Sequence, residues 1–125
     1  MMTQTGLAGR RILLVEDEVM VAMLLETILE DEKCTTVGPF GDLPSALAAA
    51  RSEIVDGAVL DVNLAGERVF PVAEVLAERG IPFLLLSGYG AMALPQDRQH
   101  WPVCDKPFKS DELLAVLSRV IGAAG

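Results

Sequence analysis

Short runs of strand-forming residues alternate with amphipathic segments along almost the whole chain of 125 residues. Most of these runs are entirely apolar, which is typical of strands buried on both faces of a parallel sheet. They predict five strands, at residues 12–15, 35–37, 58–60, 83–86 and 103–104. Between them, apolar residues that recur every three or four positions predict helices at residues 19–30, 44–52 and 70–79, and a last helix that follows Ser110.

The residues at the element ends agree with this division. Asp42 is a suitable N-cap for the second helix, and Gly80 is placed to end the third. Gly38-Pro39 should close the second strand, and Ser110 should cap the last helix. Residues 89–102 contain two prolines and little periodicity, so we expect a short or mobile helix there.

Five alternations of strand and helix require right-handed crossovers and helices on both faces of the sheet. We therefore expect one α/β domain built on a doubly wound, five-stranded parallel sheet.

Composition and charge narrow the class of protein. A hydrophobic content of 51% and a mean hydropathy of +0.40 argue against disorder. No apolar run reaches the roughly 18 residues of a membrane-spanning helix. Ten basic and eighteen acidic residues leave a net charge of −8, which argues against direct binding to nucleic acid or to an anionic membrane surface. Cys34 and Cys104 lack ligand spacing, and the N-terminus lacks a signal-peptide core, so we expect buried thiols and a cytoplasmic location.

Candidate chemistry lies directly after the strands, where open parallel sheets bind their ligands. Glu16 and Asp17 follow the first strand, Asp61 the third, Ser87 the fourth and Lys106 the fifth. Three neighbouring carboxylates repel one another unless a cation binds them. Hard oxygen ligands favour Mg²⁺.

A carboxylate beside Mg²⁺ is a competent nucleophile towards phosphorus. The Lys106 ammonium and the Ser87 hydroxyl would supply the charge and the hydrogen bond that a transferred phosphoryl group needs. Taken singly, each of these residues has an ordinary structural explanation, such as a helix first turn, a loop cap, a tight turn or a solvated lysine. Their joint placement favours a phosphoryl-transfer site. We expect His100 at the surface, and Trp101 and Tyr89 in packing roles.

The same residues carry a family resemblance. The chain resembles the receiver domain of two-component response regulators through the segments Ile12–Glu18 (ILLVEDE), Leu60–Leu64 (LDVNL), Leu86–Gly88 (LSG) and Lys106–Phe108 (KPF). The resemblance implies a flavodoxin-like receiver fold over residues 11–122, with tails at 1–10 and 123–125. It also implies a Lys106–Pro107 peptide bond that is often cis.

The resemblance also implies a function and a set of site residues. Asp61 would accept a phosphoryl group from a sensor histidine kinase or a phosphotransfer protein. Mg²⁺ would be held by Glu16, Asp17, Asp61 and the main-chain carbonyl of Asn63, and Ser87 and Lys106 would contact the phosphoryl oxygens. Such a domain is a signalling module whose chemistry is confined to its own phosphorylation and dephosphorylation.

A narrower likeness is to the FAT GUY subfamily, mostly stand-alone receivers linked to HWE-type kinases. It is carried by residues 60–67, 70–73, 79–83 and 87–90, although Leu84–Tyr89 reads LLLSGY where FATGY would be expected. Val103 stands where most receivers have the aromatic switch residue, so Tyr89, Trp101 or ordering of residues 89–102 would have to replace it.

No output segment follows residue 125, so we expect output through a partner protein or by draining phosphoryl groups from a kinase. A Mg²⁺-dependent phosphatase of the haloacid dehalogenase type is an alternative, but Asn63 stands where its general acid would be. A flavodoxin-like nucleotide binder is another, but residues 16–18 would repel phosphate.

Overall fold

A computed structural model describes residues 6–124 of the chain. Its main sheet is made of the five parallel strands β1 Arg11–Val15, β2 Thr35–Phe40, β3 Gly57–Asp61, β6 Phe83–Ser87 and β7 Val103–Asp105. Their spatial order is β2-β1-β3-β6-β7. Two further strands, β4 Asn63–Leu64 and β5 Glu67–Arg68, form a small antiparallel hairpin. The predicted doubly wound, five-stranded fold is confirmed.

Four α-helices cover the two faces of this sheet: α1 Val19–Asp31, α2 Leu43–Ser52, α3 Phe70–Glu78 and α4 Ser110–Ala124. Alternate residues of β1 separate the two layers, because successive side chains of a strand point to opposite faces. Leu13 and Val15 pack with α2 and α3, whereas Ile12 and Leu14 pack with α1 and α4. None of the helices in the described part of the chain has the length and apolar character needed to cross a bilayer.

Most of the predicted helix ends are confirmed. Asp42 accepts a hydrogen bond of 2.9 Å from the Ser45 amide, and Gly80, with a φ of 72°, follows α3. Ser110 is an exception, because it is the first residue of α4 rather than its cap. The helix begins one position earlier than expected, and the Lys109 carbonyl accepts the first bond, from the Leu113 amide at 2.9 Å.

Residues 89–102 contain no α-helix and instead form two 3₁₀ turns, Gly90–Ala93 and Gln96–Arg98. Trp101 anchors the end of this segment, since its buried ring packs edge-on against Phe83 with the centroids 5.3 Å apart.

The second strand is longer than predicted. Gly38-Pro39 was expected to close it, but β2 continues to Phe40 through a bulge that places one extra residue opposite β1. Proline is tolerated here because β2 is an edge strand and the bulge removes the need for a ladder hydrogen bond. The extension matters for function, because the Phe40 carbonyl accepts a 3.0 Å bond from the Glu16 amide.

The predicted N-terminal tail is residues 1–10, of which the structure describes residues 6–10. Within these, Leu7 is fully buried in the cluster under α1 and α4. The Gly9 amide also donates to the Lys33 carbonyl at 2.9 Å. The domain boundary at residue 11 stays a prediction.

Gly38→Ala should destabilise the protein by about 2–3 kcal/mol, because a side chain is strained at positive φ and has no room here. Gly38 has a φ of 114°, and an added Cβ would lie 2.7 Å from the Leu14 carbonyl oxygen. Chemical denaturation with Gly122→Ala as the control measures the effect, since a Cβ at this helical position meets nothing within 4 Å. Equal stability of both variants would contradict this reading of the bulge.

Candidate functional site

The carboxyl ends of four strands meet at a cavity of about 410 Å³. It lies at the carboxyl edge of the sheet, beside β1, where the order of the strands reverses direction. Doubly wound folds bind their ligands at this point. Its walls come from these strand ends, the loops after them and the β4–β5 hairpin: Asp17, Glu18, Asp61, Val62, Asn63, Gly66, Arg68, Leu86, Ser87, Gly88, Tyr89 and Lys106. Glu16 adjoins this cavity through its ion pair with Lys106.

Glu16 is held in place by its own backbone and by the next turn. Its amide donates to the Phe40 carbonyl, and its Oε2 accepts a 3.1 Å hydrogen bond from the Glu18 amide. The residue is only 2% exposed, which is rare for an acid. Asp17, the next residue, remains in contact with solvent at the mouth of the cavity.

Asp61 ends the central strand β3 and is 4% exposed. Lys106 Nζ donates a 3.1 Å hydrogen bond to Asp61 Oδ1 and lies 3.8 Å from Glu16 Oε1. The Lys106 backbone is fixed by a 2.9 Å bond from its amide to the Ser87 carbonyl, and the Lys106–Pro107 peptide bond is cis, as the resemblance implied. The single ammonium group of Lys106 therefore forms ion pairs with two buried carboxylates.

Burial and neighbouring charges shift two of these groups. Burial alone would lower the pKa of Lys106, but the hydrogen bond to Asp61 and the attraction of the surrounding acids outweigh it, so the pKa rises. Burial, together with repulsion from Asp61, raises the pKa of Glu16 from 4.5 to about 7. The Glu18 amide and Lys106 oppose this second shift without cancelling it. The site therefore holds more negative charge than its one lysine neutralises.

The acids are arranged as a cation would require. One carboxylate oxygen from each of Glu16, Asp17 and Asp61 lies within 4.8 Å of the others. Glu16 Oε1 is buried and has no hydrogen-bond partner among the described residues. A buried oxygen in that condition is costly unless something binds it, and hard oxygen ligands suit a divalent cation that keeps part of its water. The donor set therefore fits Mg²⁺.

Ser87 and Asn63 complete the residues singled out from the sequence. Ser87 is 2% exposed, and its Oγ accepts a 3.0 Å bond from the Tyr89 amide, which leaves the hydroxyl proton to be donated. Asn63 lines the cavity two residues beyond Asp61, at the start of β4. All six predicted site residues therefore lie at or beside the one cavity.

Sequence reasoning missed the hairpin and misplaced one aromatic side chain. Arg68 and Gly66 line the cavity because β4 and β5 fold back on each other. Gly66 was the available sequence signal for this hairpin, because glycine is favoured in tight hairpin turns. In the structure, Ala65 and Gly66 both have positive φ, as in a type I′ turn. Tyr89, expected to pack, is 77% exposed at the cavity rim, where no apolar layer covers it. His100 is exposed and Trp101 buried, as expected.

The model of the response regulator receiver domain family matches residues 12–118, which is most of the chain. The chain belongs to this family. Among curated relatives, the transcriptional regulatory protein TcrA of Mycobacterium tuberculosis is 36% identical over 115 residues, which are 88% of this chain and 45% of TcrA. The chain thus spans about half the length of the curated relatives it matches.

Two solved structures are similar to this chain over nearly their whole length. SdrG from Sphingomonas melonis Fr1 is 38% identical with a TM-score of 0.75, covering 93% of this chain and 96% of SdrG. The receiver domain of the sensor histidine kinase PA1611 from Pseudomonas aeruginosa is 28% identical with a TM-score of 0.75, covering 92% of this chain and 99% of the domain. That domain carries a magnesium ion in its active-site cleft.

The raised pKa of Glu16 makes a prediction for the metal-free receiver. Between pH 4.5 and about 7 the folded state binds more protons at this carboxyl than the unfolded state does, so stability falls as the pH rises through that interval. Glu16→Gln removes the ionisation. The free energy of unfolding of Glu16→Gln, relative to that of the wild type, should therefore increase by about 1–3 kcal/mol between pH 5 and pH 8.

Urea denaturation in EDTA at both pH values measures this difference. Glu18→Gln is the matched control, because it removes an exposed acid from the same loop and leaves the Glu18 amide in place. If the free energy of unfolding changed with pH in the same way in the wild type and in Glu16→Gln, the ionisation of Glu16 would not destabilise the fold, and the prediction would be wrong.

Proposed function

We propose that this receiver is a phosphoacceptor, and that Asp61 takes a phosphoryl group from a histidine kinase or a phosphotransfer protein. The observation that carries the proposal is a buried carboxylate at the end of the central strand, bonded at 3.1 Å to a lysine and within reach of two further acids. A carboxylate needed only for stability has no use for two neighbouring acids that repel it.

The phosphoryl transfer forms one bond to phosphorus and breaks another. A carboxylate oxygen of Asp61 attacks phosphorus, a new O–P bond forms, and the bond from phosphorus to the donor breaks with its electron pair leaving on the donor. If the donor is phosphohistidine, the imidazole nitrogen keeps that pair and the ring returns to its neutral form with a proton from water. Lys106, released from Asp61 Oδ1, and the Ser87 hydroxyl then bind the oxygens of the aspartyl phosphate.

Mg²⁺ is the cofactor that we assign to this site, with Glu16, Asp17, Asp61 and the main-chain carbonyl of Asn63 as its protein ligands. When bound, it would neutralise the carboxylates and part of the charge on the transferred oxygens. The support is the buried Glu16 Oε1, which has no hydrogen-bond partner among the described residues, the three carboxylates within 4.8 Å of one another, and the magnesium ion in the cleft of the PA1611 receiver.

A protein donor must cover the rim of the cavity to bring its histidine to Asp61. The first half of α1, which begins directly after Glu18 at that rim, exposes four large apolar residues: Val19, Met20, Met23 and Leu24. An exposed apolar patch of this kind marks an interaction surface. We infer that the donor docks on α1, with an HWE-type kinase as the candidate suggested by the FAT GUY likeness.

The proposed output is a protein–protein interaction or the draining of phosphoryl groups from a kinase, in the cytoplasm. Cys34 and Cys104 are both buried, as predicted. Burial raises the pKa of both thiols, so they are poor nucleophiles.

Incubation with acetyl phosphate and Mg²⁺ should add one phosphoryl group to the wild type, as read by intact mass, and none to Asp61→Asn. The adduct should be labile to hydroxylamine, as an acyl phosphate is. Asp31→Asn, an exposed change at the far end of α1, is the control and should behave like the wild type. An adduct of equal size on Asp61→Asn would place the acceptor elsewhere.

Millimolar Mg²⁺ should raise the melting temperature of the wild type by about 2–5 °C, because a ligand of the folded state stabilises it. Asp17→Asn should lose most of this shift without losing the fold, since Asp17 is solvent-exposed. Glu18→Gln should keep the shift. A wild-type melting temperature indifferent to Mg²⁺ would contradict the metal assignment.

A further inference from the structure

Arg68 is a second cation at the cavity, and its position is dictated by the hairpin. Antiparallel pairing sets Arg68 opposite Asn63 and Glu67 opposite Leu64. Directly opposed residues share one face of the pair, and successive residues alternate between faces. Asn63 and Arg68 therefore lie side by side on the hairpin, and both residues line the cavity.

The hairpin backbone is anchored on both sides. Val69, the residue after Arg68, is fully buried, and its amide donates a 3.0 Å bond to the Val62 carbonyl. Val62, the residue after Asp61, is itself tied to the Leu86 carbonyl at 3.0 Å. The base of the Arg68 side chain is therefore held at a fixed place relative to Asp61.

The Arg68 guanidinium is uncommitted. It makes no hydrogen bond or ion pair with any residue in the described range 6–124, whereas Lys106, the other cation lining the cavity, is bound to Asp61 and Glu16. Asp17 and Glu18 line the same cavity, so their charges oppose the entry of an anion. A free guanidinium offers the paired donors that phosphate oxygens match best.

We propose that Arg68 is a donor-binding residue of this site, whose guanidinium pairs with the oxygens of a dianionic phosphoryl donor as it enters the cavity. The proposal rests on the proposed function, since it assumes delivery of that group to Asp61. Arg68 offsets the repulsion by Asp17 and Glu18 and holds the donor while Lys106 is still engaged with the acids.

The test is the rate at which small donors phosphorylate Asp61, measured by intact mass over a range of donor concentrations with saturating Mg²⁺. Arg68→Gln should lower the second-order rate constant for acetyl phosphate about tenfold, chiefly through weaker donor binding. The loss should be smaller for phosphoramidate, which carries less negative charge at neutral pH. Arg68→Lys should recover part of the rate, and the salt dependence should be shallower in Arg68→Gln because one attractive charge is gone.

Glu67→Gln is the matched control on the same hairpin, since Glu67 is exposed and does not line the cavity. It should leave the acetyl phosphate rate within about twofold of the wild type. The Mg²⁺-induced shift in melting temperature should be unchanged in Arg68→Gln, which separates loss of donor binding from damage to the metal site.

A wild-type rate in Arg68→Gln, or equal losses with both donors and in Glu67→Gln, would overturn the role of Arg68 while leaving phosphorylation of Asp61 intact. Absence of any adduct on the wild type would overturn the proposed function itself, and this inference with it.

Discussion

The bond between Lys106 and Asp61 is the interaction on which the site depends. Two carboxylates, Glu16 and Asp61, are buried side by side, and a single ammonium group lies 3.1 Å from one and 3.8 Å from the other. Breaking such a buried pair leaves an uncompensated charge and costs several kcal/mol. Because the lysine cannot neutralise every acid, the site retains an affinity for further positive charge. We see that residual demand as the physical reason why the three acids fit a divalent cation.

The sheet supplies the precision that this arrangement needs. Each charged residue either ends a strand or lies within two residues of a strand end, where the backbone bonds of the sheet fix it. β1 and β3, which carry the three acids, are buried along almost their whole length. The edge strand β2 also contributes, because its bulge brings the Phe40 carbonyl to the Glu16 amide. Groups held this rigidly would lose little freedom on binding the phosphoryl group that we propose for Asp61, so the energy of pairing with it would be available for binding.

The sequence was sufficient to predict the sheet, its helices and the convergence of five site residues, and the family resemblance added Asn63. Continuous apolar runs leave little choice of strand, and parallel strands bring their carboxyl ends to one edge. It was not sufficient for the β4–β5 hairpin, because strands of two residues have no periodicity and Ala65-Gly66 is a weaker turn signal than Asn-Gly. Arg68 was missed for that reason. The continuation of β2 through Pro39 depends on its place at the sheet edge, which is a tertiary property.

The structure of residues 89–102 was also predictable only in part. Weak periodicity predicted the absence of a firm helix, and two short 3₁₀ turns stand there. Trp101 is locked in the core and Tyr89 is exposed at the rim. Of the two aromatic residues considered as replacements for the ring missing at Val103, only Tyr89 is placed to move freely.

A crystal structure grown with Mg²⁺ and beryllofluoride, a mimic of the phosphoryl group, tests the central claim most directly. The account predicts a metal peak bound by oxygens of Glu16, Asp17 and Asp61, beryllofluoride on Asp61, and Lys106 Nζ transferred from Asp61 Oδ1 to a fluorine. Beryllofluoride on another residue, or Lys106 still bonded to an unmodified Asp61 with no metal beside it, would contradict it.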